Sequence, residues 1–536
     1  MTVIKAKGSS AIILLAAFIF AAGYNLAFFQ NVLGRYPLQG NLAFLISLAI
    51  LLFCTIALFL GVVLTKLTFK PVLMLLFPFA AAGSYFMNNY NVIIDASMLQ
   101  NTLMTDSREV ADLLSLKLVS YVLLLGILPA FAVYRFTVPC LSLRSELRAR
   151  GKMLGVLLLV IVANLLLLSE QYTGFIREEK DLRYYMNPLT LVYSASKLVD
   201  SKMSEASTGP REVIGEDARV ARRSDQRKLV VLVVGEATRA DHWSLNGYGR
   251  DTNAPLAPYA VVNFPEVSSC ATSTAYSLPC MFSSDPFEDF TLDRANGREN
   301  VLDVLQRAGV NVLWRDNNSD SKGVAVNIPF EDFRHPDVNP VCDEECRDVG
   351  MLSGLDDYLE AHPEGDIVIV MHQMGNHGPA YYKRYPKAFE RYTPVCQTNQ
   401  IEDCTQEEIT NAYDNALLYS NYFLASVIDF LTPRQGEFAT ALYYMADHGD
   451  SLGEMGLYLH GLPYAIAPSA QKHVASLMWL GEGFEAQRER LLARAAEPAS
   501  HDNYFHTVLG LLNVSTRVHD PDLDLVASVK GAMPGG

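Results

Sequence analysis

Positive charge is scarce in this chain: 43 lysines and arginines stand against 58 aspartates and glutamates, a net charge of −15. Nucleic-acid binding needs basic patches, so that class of partner is excluded. Any anionic substrate must be held by local cations or a metal rather than by the overall field. Cysteines number only eight, and none forms a CxxC with a distant partner pair, which argues against a structural zinc site. Histidine is missing until His242, so all eleven fall in the later part of the chain. The long apolar runs of the first third carry almost no ionisable residue. A translocation path usually shows some, so a transporter is disfavoured.

What the first third does contain is apolar length. Runs able to cross a bilayer lie at about 10–29, 41–65, 71–90, 118–134 and 153–169, which predicts five membrane helices. Lys5 and Lys7 ahead of the first run, with small alanines after it, have the flavour of a cleaved signal peptide, but the stretch is too long and further spans follow. Basic residues set the orientation. Lys5 and Lys7 precede the first span, Lys66 and Lys70 separate the second from the third, and Arg135, Arg144, Arg148, Arg150 and Lys152 crowd the loop before the fifth. The N-terminus is therefore expected in the cytoplasm, with everything after the fifth span exported.

Cysteine placement tests that topology independently. Cys54 lies in a span and Cys140 in a cytoplasmic loop, while the other six fall in the exported region as three close pairs: Cys270 with Cys280, Cys342 with Cys346, and Cys396 with Cys404. Six cysteines permit fifteen pairings, yet the short separations favour the local ones, in an oxidising compartment such as a bacterial periplasm. The expected organisation is a transmembrane domain over 1–170, an interfacial helix ("NPLTLVYSASKLV") and polar linker over 171–227, and an exported domain over 228–536.

In that exported domain, apolar runs of strand length at 229–234, 310–314, 366–371, 440–445 and 474–480 alternate with helical patterns such as "ENVLDVLQRAG" and "NAYDNALLYSNYFLASVIDFL". This predicts an α/β fold, a mostly parallel sheet sandwiched by helices, with its ligand site beyond the carboxyl ends of the strands. Those ends carry chemistry. The first run leads into Glu236, the third into His372 and then His377, the fourth into Asp447 and His448. Glu236, Asp447 and His448 make an O, O, N set suited to Zn2+ or Mn2+ with a position left open. Taken singly, Glu236 could equally cap a helix and "ADHGDSLGE" could be a capped turn.

A metal with an open position calls for a nucleophile. Between Cys270 and Cys280, "SCATSTAYSLPCMFS" offers Thr272, Ser273, Thr274 and Ser277. A hydroxyl there would gain from a helix N-terminus, with Pro279 near the first turn, but it could also merely cap that helix. Spacing alone does not choose among the four.

"VVGEATRADHWSLNGYGRDTNAP", "SCATSTAYSLPCMFS", "WRDNNSDSKGV", "MHQMGNHGPAYYKRY", "ADHGDSLGEMGLYLHGLPYAIAP" and "HDNYFHTVLGLL" resemble the successive blocks of the phosphoethanolamine:lipid A transferases, the family that includes the mobile colistin-resistance enzymes and has an alkaline phosphatase/sulfatase-like domain. The likeness covers nearly the whole chain, five-span front end included. It implies that Thr274, four residues after Cys270, is the nucleophile, and that Glu236, Asp447, His448 and the Thr274 oxygen hold one tightly bound zinc. It further implies that His377 and His460 line the phosphate site, where they would take a second zinc or move protons, and that Lys322 stands near the bound phosphate. Asn101, Thr105 and Glu109, at i, i+4 and i+8 in "MLQNTLMTDSREV", match positions that hold the ethanolamine head group. By pattern alone they read more readily as a solvated helix face than as a binding stripe.

Two departures stand out. Ala237 follows Glu236 where the family usually has threonine, which leaves Thr238 as a rival hydroxyl, and Asp450 replaces the glutamate of "DHGES". The resemblance implies phosphatidylethanolamine as donor, lipid A as acceptor, a monomer in the bacterial inner membrane with its catalytic domain in the periplasm, and polymyxin (colistin) resistance as the outcome. Rival enzymes are a phosphoglycerol transferase resembling lipoteichoic acid synthase, or a phosphoethanolamine transferase acting on another envelope glycan. A sulfatase would need a C/S-x-P-x-R context that "CATSTAY" lacks, and a non-catalytic lipid sensor would not keep Glu236, Thr274, Asp447 and His448 together.

Overall fold

The computed structural model describes residues 9–104, 107–136, 142–179, 181–205, 210–221 and 226–527. Lys5, Lys7, Thr105 and Cys140 lie outside the described residues. The chain forms two compact units: residues up to Leu99 with Leu114–Val199, and Gln100–Leu113 with Asp200 onward. The short segment Gln100–Leu113, from the loop between the third and fourth apolar runs, thus groups with the second unit, and residues 171–199 group with the first.

The first unit is helical. Leu38–Val63, Phe69–Tyr90, Leu116–Arg135 and Arg144–Leu167 are each long and apolar enough to cross a membrane, and Ser9–Gly23 with Leu26–Arg35 makes a fifth span if the pair, bent by 55°, is counted as one. The bend falls within the straight run expected over 10–29, and Asn25 accounts for it. Its Nδ2 donates to the Phe20 carbonyl at 2.9 Å and to the Asn187 carbonyl at 2.6 Å, while its Oδ1 accepts from the Asn187 N–H at 2.9 Å. An amide at a helix break satisfies backbone groups that hydrocarbon would leave bare. Ser47 and Asn164 join two other spans by reciprocal hydrogen bonds of 2.7 and 2.8 Å, with the Tyr172 hydroxyl 2.7 Å from Ser47. The outward residues are apolar, Leu42, Phe79, Leu159 and Leu167 among them, as lipid requires and water would not tolerate over such an area. A helix, Leu189–Glu205, occupies the stretch expected to lie at the membrane surface.

The second unit is built on an eight-stranded sheet. In chain order its strands are β1 Arg227–Gly235, β2 Val262–Ser268, β3 Asn311–Asp316, β4 Phe330–Asp332, β5 Ile367–His372, β6 Phe438–Ala446, β7 His473–Leu480 and β8 Ala499–Ser500. Their spatial order is β8-β2-β7-β6-β1-β5-β3-β4. Only β7 runs against its neighbours; the other pairings are parallel. All five strands expected from the sequence are present. Consecutive residues Leu229–Val234 and Ile367–Met371 are fully buried. Alternate side chains point to opposite faces, so both faces of the sheet are covered. The longest described helix of this unit, Gln406–Leu431, opens with a capping box between Thr405 and Glu408.

β1 at the centre has β6 and β5 on either side, in registers that pair Gly235 with Ala446 and Val234 with His372. The residues just past Gly235, Ala446 and His372 therefore leave the sheet side by side at its carboxyl edge.

Candidate active site

Gly235 ends β1 as a glycine because a Cβ there would stand 2.2 Å from the Tyr444 hydroxyl. Glu236 follows it, and Asp447 follows Ala446, its N–H donating to the Gly235 carbonyl at 2.9 Å. The Asp447 carboxylate is fixed by the N–H groups of His448 at 2.7 Å and Ala237 at 3.2 Å. His448 is aimed by its Nδ1, 2.8 Å from the Gly449 carbonyl, which leaves Nε2 for the site. Gly449 admits no side chain: a Cβ would meet the Ala470 carbonyl at 2.0 Å.

A loop brings the hydroxyl. Cys270 and Cys280 are disulfide-bonded, as are Cys342 with Cys346 and Cys396 with Cys404, the three local pairs expected. Cys54 is free and buried. The helix Thr274–Met281 begins inside the first of these loops, with Ser273 at its N-cap in extended conformation and making no capping bond. Pro279 sits in the last turn of this helix, not near its first. Cys270 is held from behind: its N–H donates to His501 Nδ1 at 3.2 Å, and His501 Nε2 reaches the Ala446 carbonyl at 2.9 Å. Burial keeps that imidazole neutral, pushed down to about 4.

The four candidate hydroxyls now separate. Thr272 donates to the Leu462 carbonyl at 2.6 Å, and the buried Ser277 hydroxyl has no partner. The Thr274 hydroxyl donates to Glu236 Oε2 at 3.1 Å and lies 3.2 Å from His448 Nε2. Thr238, the rival beside the metal ligands, turns instead to the Glu236 main-chain carbonyl at 3.1 Å. Ala237 takes a left-handed conformation, φ 52°.

Glu236, Thr274, Asp447 and His448 are brought together in the buried interior. His448 Nε2 stands 3.5 Å from Glu236 Oε1 and 3.3 Å from Asp447 Oδ2. His460 joins them from outside the expected set. Its ring centroid is 4.3 Å from that of His448, and Glu236, His448 and His460 offer ligand atoms within 4.8 Å of one another. Burial raises the Asp447 carboxyl and drives the His448 imidazole far below its ordinary value, His460 adding to the latter. Asp447 Oδ2 accepts no hydrogen bond. Two buried carboxylates with an oxygen left over are costly unless a cation meets them. These donors therefore fit a metal ion.

Around this centre, the His377 and His460 rings lie 5.6 Å apart, and His460 Nδ1 is 3.5 Å from Asp450 Oδ1. Asp450 also accepts from the Tyr381 hydroxyl at 2.6 Å, so the substituted carboxylate keeps a role beside the ligands. Lys322 is buried, its Nζ donating to the carbonyls of Ser319 at 2.9 Å and Met104 at 3.0 Å. Asn101 is on helix Ala96–Met104 and Glu109 on helix Ser107–Leu113, so the stripe expected of one helix falls on two.

Sequence reasoning missed Asn318. Its amide donates to Glu236 Oε2 and to the Gln373 carbonyl, both at 2.8 Å, fixing the carboxylate from behind. It placed His372 at the end of the third run but missed its partner Asp316, 2.9 Å away, both fully buried at the same sheet edge. The signal was available: "WRDNNSD" runs straight off the end of β3.

Comparison with known proteins accords with this geometry. A sulfatase family model matches residues 228–514, and a model described as phosphoethanolamine transferase EptA/EptB matches residues 52–203. The chain is 43% identical over 477 residues to the phosphatidylethanolamine transferase Mcr-2 of Escherichia coli, covering 87% of this chain and 88% of that one. It is 38% identical over 537 residues to the phosphoethanolamine transferase EptA of Escherichia coli K12, covering 97% and 96%. The structure of the integral membrane lipooligosaccharide phosphoethanolamine transferase A of Neisseria meningitidis matches with a TM-score of 0.92 at 36% identity, over 97% of this chain and 98% of that one.

Proposed function

The chain belongs to the phosphoethanolamine transferase family, and from that membership we propose that it moves phosphoethanolamine from phosphatidylethanolamine to a phosphate of lipid A in two steps, Thr274 carrying the group between them. In the first step Thr274 Oγ1 attacks phosphorus, the bond from phosphorus to the diacylglycerol oxygen breaks, and diacylglycerol leaves with a proton. In the second a lipid A phosphate oxygen attacks the same phosphorus and the threonine hydroxyl is restored. One observation carries the reading: of the four hydroxyls in the disulfide-bounded loop, that of Thr274 meets both Glu236 and His448.

Glu236, Asp447, His448 and the Thr274 oxygen would hold zinc, which when bound lowers the pKa of an attached hydroxyl and neutralises phosphoryl charge. His377 and His460 are the groups for proton transfer to and from the leaving and entering oxygens, or for a second zinc during turnover. Lys322 would serve a phosphoryl oxygen by exchanging one of its two carbonyl partners. Asn101, Thr105 and Glu109 would receive the ethanolamine ammonium.

In this reading the spans within 1–170 anchor the protein in the bacterial inner membrane, 171–227 connects, and 228–536 catalyses as a monomer in the periplasm, where three disulfides persist. The transferred ammonium masks part of lipid A's negative charge, weakening binding of cationic peptides such as polymyxins. Mass spectrometry of lipid A from cells expressing the wild type and Thr274→Ala is the test: the phosphoethanolamine adduct is expected only with the wild type. Adduct made by the variant would refute the assignment, and phosphoethanolamine found on Thr238 would move it.

A further inference from the structure

We infer that Asp112 is a positioning residue: it plugs the segment Gln100–Leu113 into a socket of the sheet unit formed by Lys383, Arg384 and Asn399. The segment belongs to the sheet unit by its contacts, although its chain continues at both ends into apolar spans. Asp112 is buried. Its carboxylate accepts from Lys383 Nζ at 2.5 Å and from Arg384 at 2.7 Å, and its main-chain carbonyl accepts from the Asn399 amide. Burial alone would raise this carboxyl; Arg384 and Lys383 outweigh burial and hold it below its ordinary value.

The socket is tied to the site and braced on two sides. Arg384, itself buried, also donates through Nε to the His377 carbonyl at 2.6 Å and through its guanidinium to Glu345. Glu345 lies inside the Cys342–Cys346 loop and Asn399 inside the Cys396–Cys404 loop. Of the two disulfides away from Thr274, one thus encloses Asn399, which binds Asp112 directly, and the other encloses Glu345, which shares Arg384 with it; that one guanidinium joins Asp112 to the backbone of His377. At the other end of the segment Lys322 grips the Met104 carbonyl. Met104 and Asp112 each lie three residues beyond a member of the head-group set, Asn101 and Glu109 respectively.

The consequence rests on the proposed function: Asp112 sets where the ethanolamine end of the donor is received, and so acts on donor binding rather than on the chemical step. A guanidinium shared among two carboxylates and a carbonyl is a fixed fork, and a loosened receiving segment weakens binding of ground and transition state alike.

The test uses the full-length protein in mixed micelles with phosphatidylethanolamine. Asp112→Asn is expected to raise KM at least about tenfold with kcat within about twofold, Lys383→Met to raise KM by about two- to fivefold, and Asp112→Glu to restore most of the loss. Hydrogen exchange of peptides covering 100–113 is expected to quicken in Asp112→Asn while peptides of β1 and β6 are unchanged. A fall in kcat at constant KM, unchanged exchange in 100–113, or quickened exchange throughout the sheet unit would each overturn the proposal. Failure of the underlying reading looks different. A wild-type enzyme that leaves phosphatidylethanolamine intact refutes the function, while the exchange measurement still decides the socket.

Discussion

The two units spend their polar side chains in opposite ways. In the helical unit Asn25 is matched with the Asn187 main chain, and Ser47 with Asn164; each pair joins distant stretches of chain within an apolar body, and of their side-chain atoms Asn187 Oδ1 is the one left over. In the sheet unit the polar groups gather at the ends of β1, β3, β5 and β6, and at that edge atoms such as Asp447 Oδ2 and His372 Nε2 lack a hydrogen-bond partner. A buried polar atom without a partner costs roughly 1–3 kcal/mol, so a cluster of them persists only where a ligand meets them. Polarity that closes on itself builds structure, and polarity left open at one edge builds a site.

Four variants sharpen or break that contrast. The largest effect is expected from Thr274→Ala, a loss of transfer of at least about 10³-fold, read as disappearance of the lipid A adduct with the thermal midpoint held within a few degrees. Activity near wild type would mean that the open edge is not the reacting centre. Next comes Asn318→Ala, which takes a donor from Glu236 without removing a ligand. Metal content measured by plasma mass spectrometry and turnover should both fall by about 10- to 100-fold, and unchanged metal affinity would sink the idea that Asn318 aims the carboxylate. Replacing Cys270 and Cys280 by serine should cut kcat by about tenfold or more, because a displacement near 1 Å at a nucleophile has effects of that size. Circular dichroism should still show the folded sheet, whereas parallel loss of fold and activity would reduce the disulfide to a simple staple. The smallest effect belongs to the helical unit: Asn164→Leu breaks the pair with Ser47, and should cost about 1 kcal/mol or less while lipid A modification stays within about twofold. A large loss of transfer there would erase the distinction between the units.

The contrast also explains what could be read from the sequence. β1, β3, β5, β6 and β7 announce themselves as continuous apolar runs because both their faces are covered. The strand-end residues Glu236, Asp447 and His448 followed from those runs, and the block resemblance chose Thr274 among four hydroxyls. β2 escaped because Pro265 interrupts it, and β4 and β8 because three and two residues make no pattern. The bend at Asn25 escaped because an asparagine in an apolar run signals a kink only when its partner, Asn187, is known. Asn318 was visible as a strand-end residue after β3, but its partners Glu236 and Gln373 were not, and Arg384 escaped for the same want of partners. Each acts through contacts with chain far away in sequence, and neither spacing nor composition encodes a contact with a carbonyl.

The order of strands in the sheet has a consequence for how the molecule comes into being. β1 is the first strand of the sheet to be synthesised, yet its neighbours are β5 and β6, made long after it. Until Phe438–Ala446 has emerged, one edge of an almost wholly apolar strand has nothing to pair with, a state prone to wrong association. Arg227 and Lys228 at its start are the kind of charged residue that discourages such pairing. Closing pairings so far apart in sequence is slow, and Glu236 meets His448 only once β1 and β6 are zipped together. A chain ending just before His448 would therefore carry its helical unit and six of the eight strands of its sheet, yet lack the imidazole that meets Glu236 and Thr274.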